Sequence, residues 1–190
     1  MSYGEYAGNL RGLIHLLKYD GVLPARSPLG EMLAETLEEL LSGHANERPL
    51  LVAVPLHRRK RGQRGFNQAE LITQSAAEVL ADQVEVATDV LLRRRDTVSQ
   101  VGLSRDERIA NMRDAFRVPR PRLVKGRLVV VVDDVMTTGT TLSECARVLK
   151  QAGAERVLAA TVARAFQGEL SLAADHAEEV EEAATAVASS

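Results

Sequence analysis

Apolar residues recur at helical spacing along the first forty positions. Leu10, Leu13, Ile14 and Leu17 share one face of LRGLIHLLKY, and Leu29, Leu33, Leu37, Leu40 and Leu41 share one face of the stretch that follows Pro28. This spacing predicts a helical N-terminus whose second helix starts at its proline. From residue 50 the pattern changes. LLVAVP is a short apolar strand stopped by Pro55, NQAELITQSAAEVLAD returns to helical period, and VEVA and VLLR are brief strands. SRDERIANMRDAF opens on a capping box, Ser104 with Glu107, and predicts another helix. Val129 to Val132 form a β-branched run of the kind buried on both faces of a parallel sheet, and RVLAATVAR, 156–164, is a further strand. Strands alternating with helices predict an α/β domain with a mainly parallel central sheet flanked by helices.

The junction VVVVDDVMTTGTT, 129–141, carries the densest chemistry. Thr141 and Glu144 have the spacing of a capping box, the helix that follows runs through TLSECARVLKQAG, and Gly153 stands where a helix end favours a left-handed residue. Backbone N–H groups of Thr137, Thr138, Gly139 and Thr140 at such a helix start have no intrahelical partner and suit a phosphate. Asp133 and Asp134 would repel that phosphate but accept hydroxyl donors, or hold a divalent cation bridging sugar and phosphate. The pattern implies a sugar phosphate gripped at both ends. It is also compatible with an ordinary strand-to-helix turn whose carboxylates are solvated or capping.

Composition adds bounds. The chain has 190 residues, 45% hydrophobic and 26% charged, as suits one globular domain. A single cysteine, Cys145, excludes an internal disulfide framework and is expected to be a buried small hydrophobe. No apolar run approaches the length of a membrane span and MSYGEYAGNL has no signal pattern, so a cytoplasmic location is expected. The net charge of −2 conceals an asymmetry: residues 57–127 carry 16 Lys and Arg against 9 Asp and Glu, whereas residues 165–190 carry six acids and no Lys or Arg.

Five cations, Arg58, Arg59, Lys60, Arg61 and Arg64, fall within seven positions directly after the strand LLVAV, among glycines Gly62 and Gly65. In a parallel sheet this loop projects at the same edge as the phosphate cup. Pyrophosphate and nucleic-acid phosphates would accept its donors equally. The polar stretch RRRDTVSQVGLS predicts a mobile loop able to close over a ligand.

The thirteen-residue junction resembles the 5-phosphoribosyl-1-pyrophosphate (PRPP) signature of type I phosphoribosyltransferases. Together with LKYDG at 17–21, RGFNQAELI at 64–72 and TVSQVGLSRDERIANMRDAF at 97–116, it resembles the ComF family of competence-associated proteins over roughly residues 10–165. The resemblance implies a type I phosphoribosyltransferase-like core at 46–167, an N-terminal helical hood at 1–45 and an acidic Ala/Glu-rich tail at 168–190. It implies ribose hydroxyl contacts from Asp133 and Asp134, 5′-phosphate contacts from Thr137, Thr138, Gly139, Thr140 and Thr141, and Mg²⁺ held by the two aspartates and the ligand phosphates. His57, Arg58, Arg59, Lys60, Arg64 and Gly65 are then the pyrophosphate loop, with Gln100, Arg105, Arg108 and Asn111 on the closing loop as catalytic candidates. In the hood, Lys18 and Tyr19 are the distinctive polar pair, and the acceptor is unspecified. The family link to natural transformation implies single-stranded DNA and a competence helicase as partners. Many ComF proteins begin with a Cys-rich zinc module; no cysteine precedes Cys145, and no zinc site is expected. Three functions remain open: a phosphoribosyltransferase, a single-stranded DNA-binding accessory, and a nucleotide sensor without turnover. With Trp absent and Phe66 and Phe116 the aromatics of the basic region, a base-stacking platform is poorly supplied.

Overall fold

Five apolar residues in a row, Leu128 to Val132, can be buried on both faces only in the middle of a sheet with helices on each side. The computed structural model, which describes residues 1–44, 47–94 and 115–166, places them there. In chain order the elements are β1 (Ser2–Glu5), α1 (Gly8–Lys18), α2 (Arg26–Leu41), β2 (Leu50–Ala53), α3 (Arg58–Arg64), α4 (Gln68–Leu80), β3 (Glu85–Val86), β4 (Leu92–Arg93), β5 (Phe116–Arg117), β6 (Leu128–Met136), α5 (Thr140–Gln151) and β7 (Arg156–Arg164). Five strands make one sheet in the order β1-β7-β6-β2-β3, every pairing parallel. This is the mainly parallel central sheet flanked by helices that the alternation of strands and helices predicts. β4 and β5 form a separate antiparallel pair, Leu92 opposite Arg117 and Arg93 opposite Phe116.

The pleat of β6 divides the core. Val130 and Val132 face Leu29, Leu33 and Leu37 of α2 and Ile72 and Ala76 of α4. Val129 and Val131 face Leu142, Cys145 and Leu149 of α5, together with Val90, Leu91 and Phe116. Cys145 is a fully buried thiol, as its place in an apolar helix face suggests. α2 lies so close to α4 that a Cβ on Gly30 would stand 2.4 Å from the Cβ of Ser75.

Three local expectations are corrected. The first forty residues are not all helical, because Ser2–Glu5 pairs with Thr161–Arg164 as an edge strand and the Met1 ammonium donates to the Ala159 carbonyl. The cationic stretch at 58–64 is a short helix rather than a loop; His57 caps its start by accepting from the Arg59 N–H at 3.4 Å, and Gly65 ends it at φ 82°. Thr141 does not cap α5. Gly139 in left-handed conformation precedes that helix, Thr141 is already inside it, and Glu144 pairs with Arg147. Gly153, by contrast, is left-handed at φ 97°, as expected for a helix end. The helix expected from Ser104 and the acidic tail lie outside the described residues.

Candidate functional site at the carboxyl edge of the sheet

β6 runs four residues beyond its valines, to Met136, so both aspartates are strand residues. Successive strand side chains point to opposite faces. Asp133 therefore continues the Val129–Val131 row toward α5, and Asp134 continues the Val130–Val132 row toward α1, α2 and α4.

On the Asp133 side the chain turns through Thr137, Thr138 and Gly139, whose φ of 74° is a conformation that glycine adopts without strain, and enters α5 at Thr140. Thr138 and Thr140 share a hydroxyl hydrogen bond of 2.9 Å, and the Thr140 N–H reaches the Thr138 hydroxyl at 3.5 Å. Asp133 and residues Thr137 to Thr141 line one small cavity of about 20 Å³, beneath a helix twelve residues long. Backbone N–H groups at the start of that helix and the threonine hydroxyls are donors of the kind that suit an anion.

The Asp134 side is different. Its side chain keeps 6% of its surface exposed, and the Lys18 ammonium, at the last residue of α1, stands 3.6 Å from Oδ2. The Val135 N–H donates to Oδ1 at 2.9 Å. Burial pushes this carboxyl up, but Lys18, a hydrogen bond with Asp133, the Val135 N–H and Arg64 outweigh it and hold the group below the usual carboxylate range. Asp133 moves the other way, raised well above that range by burial and by the charge of Asp134. The nearby Asp134 charge raises the Lys18 pKa despite burial, so Lys18 stays protonated. Tyr19 adjoins this pair, with the Lys18 ammonium 5.6 Å and the Arg64 guanidinium 5.8 Å from its ring centre. His15 lies 5.0 Å from the Tyr19 ring and hydrogen-bonds the Tyr6 hydroxyl at 2.8 Å.

A larger cleft of about 560 Å³ opens beside β2 and β3. Arg58, Arg61, Arg93, Arg94 and Arg117 supply its positive charge, His57 lines it beside them, and Val52, Pro55, Leu56, Val86 and Val90 form its apolar walls. Arg61 pairs with Glu70 at 3.0 Å and Arg93 lies over the Phe116 ring at 5.6 Å. None of Thr137 to Thr141 lines this cleft, so it is separate from the threonine cup.

The expected pyrophosphate loop is thus divided. His57 and Arg58 line the cleft, Arg64 turns to Tyr19 and Gln68, Gly65 ends the helix, and Arg59 and Lys60 are exposed and line neither cavity. Gln100, Arg105, Arg108 and Asn111 lie outside the described residues. Two groups gain a role that sequence spacing did not give them. Lys18 meets Asp134 across 116 positions of chain, and only the LKYDG motif marked it. Asn67, fully buried, caps α4 by accepting from the Ala69 N–H at 3.1 Å and donates to the Val54 carbonyl at 3.0 Å, fixing the helix to the end of β2.

Residues 75–185 match the family model described as phosphoribosyl transferase domain. DNA utilization protein YhgH of Escherichia coli K12 is 36% identical over 158 residues, covering 83% of this chain and 68% of that protein. Competence protein F of Haemophilus influenzae is 30% identical over 164 residues, covering 85% of this chain and 71% of that protein. The chain belongs to the ComF family. Within that family it carries the phosphoribosyl transferase domain, and among its described residues no helix is long and apolar enough to cross a membrane. Among solved structures it is similar to the glutamine PRPP amidotransferase of Bacillus subtilis, at 24% identity and a TM-score of 0.47 over 74% of this chain. That alignment spans 26% of the amidotransferase chain.

Proposed function

We propose that the chain binds PRPP at the carboxyl edge of β6 and transfers its phosphoribosyl group to an acceptor, in the service of DNA uptake or use. The observation that carries this reading is the pairing of the Thr137–Thr141 cup with Asp133 in one cavity, Asp134 standing on the other face of the same strand. The cup takes the 5′-phosphate, the two carboxylates take the ribose hydroxyls, and the pyrophosphate extends toward His57 and Arg58. An acceptor nucleophile then attacks C1′ as the C1′–O bond to pyrophosphate breaks, and the electron pair leaves with pyrophosphate. Positioning and charge stabilisation are what the described residues supply to that displacement.

Mg²⁺ fits this site in a restricted way. The described residues form no cluster of three or more His, Cys, Asp or Glu side chains, and Asp134 is already held by Lys18. Asp133 and the phosphates of the ligand are the donors left, which suits a cation that binds through one or two carboxylates and keeps several waters. When bound it would neutralise charge on the leaving pyrophosphate. The DNA association is supported by relatives named for DNA utilization and competence, and a cytoplasmic location is part of the same proposal.

The test is thermal unfolding with PRPP and Mg²⁺. At a hundredfold excess over Kd, a ligand specific to the native state adds about 2.7 kcal/mol. The wild type should show a raised Tm and the Asp133→Asn/Asp134→Asn double variant should not; an unchanged wild-type curve at millimolar PRPP overturns the assignment.

One observation favours a second reading, a single nucleic-acid strand in the arginine cleft. Arg58, Arg94 and Arg117 line it without an ion-pair partner among the described residues. A phosphodiester backbone is a natural partner for three such guanidinium groups.

A further inference from the structure

Asp134 Oδ2 is buried and accepts no hydrogen bond among the described residues. The Lys18 ammonium, at 3.6 Å, is placed for charge attraction but beyond hydrogen-bond distance. A buried charged acceptor without a donor is costly, and a buried ion pair without supplementary hydrogen bonds does not recover its desolvation. Lys18 keeps 25% of its side-chain surface exposed against 6% for Asp134, so the carboxylate is the member that lacks water, and contact with the ammonium would stabilise it. Here the carboxylate is fixed by the Val135 N–H on its other oxygen, and the ammonium extends from the end of α1 beside Tyr19 and Arg64.

We infer that Lys18 is a positioning residue for the ligand's ribose: one sugar hydroxyl bridges the pair, donating its proton to Asp134 Oδ2 and accepting from Lys18 Nζ. A hydroxyl is the group that satisfies both at once, since it carries a donor and acceptor lone pairs on a single atom. A metal ion, a phosphate or an amine would each conflict with one member of the pair. The inference rests on the phosphoribosyl reading and deepens it. The N-terminal helix then recognises the sugar directly, and selects ribose over a deoxy sugar through two charge-assisted hydrogen bonds. The Asp133 side holds the phosphate end, and the Asp134–Lys18 side reads the hydroxyl.

The test is displacement of PRPP by ribose 5-phosphate and by its 2-deoxy and 3-deoxy forms, on wild type, Lys18→Met, Lys18→Arg and Lys18→Met/Asp134→Asn. Hydrogen bonds to charged groups of this kind correspond to roughly tenfold or more in affinity. The wild type should lose about that factor against one of the two deoxy sugars. Lys18→Met should bind ribose 5-phosphate more weakly by a similar factor and discriminate less sharply against that deoxy sugar, since only the bond to Asp134 remains. Lys18→Arg, which keeps a cation of different reach, should discriminate to an intermediate degree. Circular dichroism reports folding of each variant. The double variant leaves no unpaired buried charge, so it provides the comparison if Lys18→Met alone does not fold, and it should lose the discrimination. A wild type that treats all three sugars alike, or a folded Lys18→Met or double variant that discriminates as sharply as wild type, overturns the role of Lys18 while PRPP binding stands. Failure of ribose 5-phosphate to displace bound PRPP overturns it as well. A wild type that binds no PRPP overturns both this inference and the reading beneath it.

Discussion

Asp133 and Asp134 are neighbours in sequence but not in environment. One lines the threonine cup, the other is held by a lysine from the first helix, and their pKa values are driven apart by burial, by their mutual interaction and by that lysine. Burial and the charge of Asp134 raise Asp133, whereas Lys18 and local hydrogen bonds lower Asp134, so the two carboxyls differ in how readily they give up a proton. Asn67 matters at the same edge for a different reason. It satisfies both a helix N–H and the last carbonyl of the β2 segment while fully buried. Replacing it by Ala removes the cap, worth about 1 kcal/mol, and strands the Val54 carbonyl, worth about 1–3 kcal/mol more. Asn67→Ala should therefore lose about 2–4 kcal/mol in urea unfolding. A loss below half a kcal/mol, the ordinary range of a surface substitution, would show that Asn67 does not anchor α4.

At the scale of elements, Gly30 decides how closely α2 and α4 approach. Gly→Ala within an exposed helix normally gains up to about 1 kcal/mol. Here the new Cβ would lie 2.4 Å from Ser75 Cβ and 3.0 Å from the Ala76 nitrogen, so the helices must separate. Overpacking of that kind costs about 1–3 kcal/mol and outweighs the propensity. Gly30→Ala should be destabilised in urea, and Ser75→Gly placed in the same chain should recover most of the loss. Absence of rescue would put the strain elsewhere. The elements that were legible in the sequence share one property, a strong apolar pattern. β7 spans the residues read for it, and the helix after β6 ends at Gly153 as read, because β-branched runs and helical stripes register directly in sequence. α3 buries no residue and so gave no stripe, appearing instead as a cationic loop; its helix comes from a cap at His57 and a left-handed Gly65. β1 has four residues with a glycine among them, too short for a pattern, and is a strand because Arg156–Arg164 offers it an edge. The opposed faces of the aspartates follow from a period of two once the strand is known to continue past Val132. LKYDG marked Lys18, but its meeting with Asp134 was not legible, since packing of α1 over the sheet brings the two together.

The whole molecule brings two phosphate-compatible surfaces to one sheet edge, the threonine cup over β6 and the arginine cleft beside β2 and β3, with no cup threonine in the cleft. A net charge of −2 gives no hint of this, because the basic middle of the chain is offset elsewhere. If the cleft holds a nucleic-acid strand, the affinity of single-stranded DNA should fall with salt by about 0.7 log units per log unit of salt for each phosphate neutralised. Arg58, Arg94 and Arg117 are the residues to remove, as Arg61 is engaged by Glu70 and Arg93 by Phe116. Changing all three to Ala should flatten the slope by about two units while leaving the Tm shift by ribose 5-phosphate intact, because the cup and the Asp134–Lys18 pair are untouched. If the cleft instead serves only the pyrophosphate of PRPP, the triple variant should lose PRPP affinity and keep its DNA slope. Competition separates the remaining case. PRPP that displaces labelled DNA from wild type and fails to do so from the triple variant places both phosphates on these arginines. DNA binding unchanged in the triple variant at every salt concentration would remove the cleft from the nucleic-acid path and leave it to pyrophosphate.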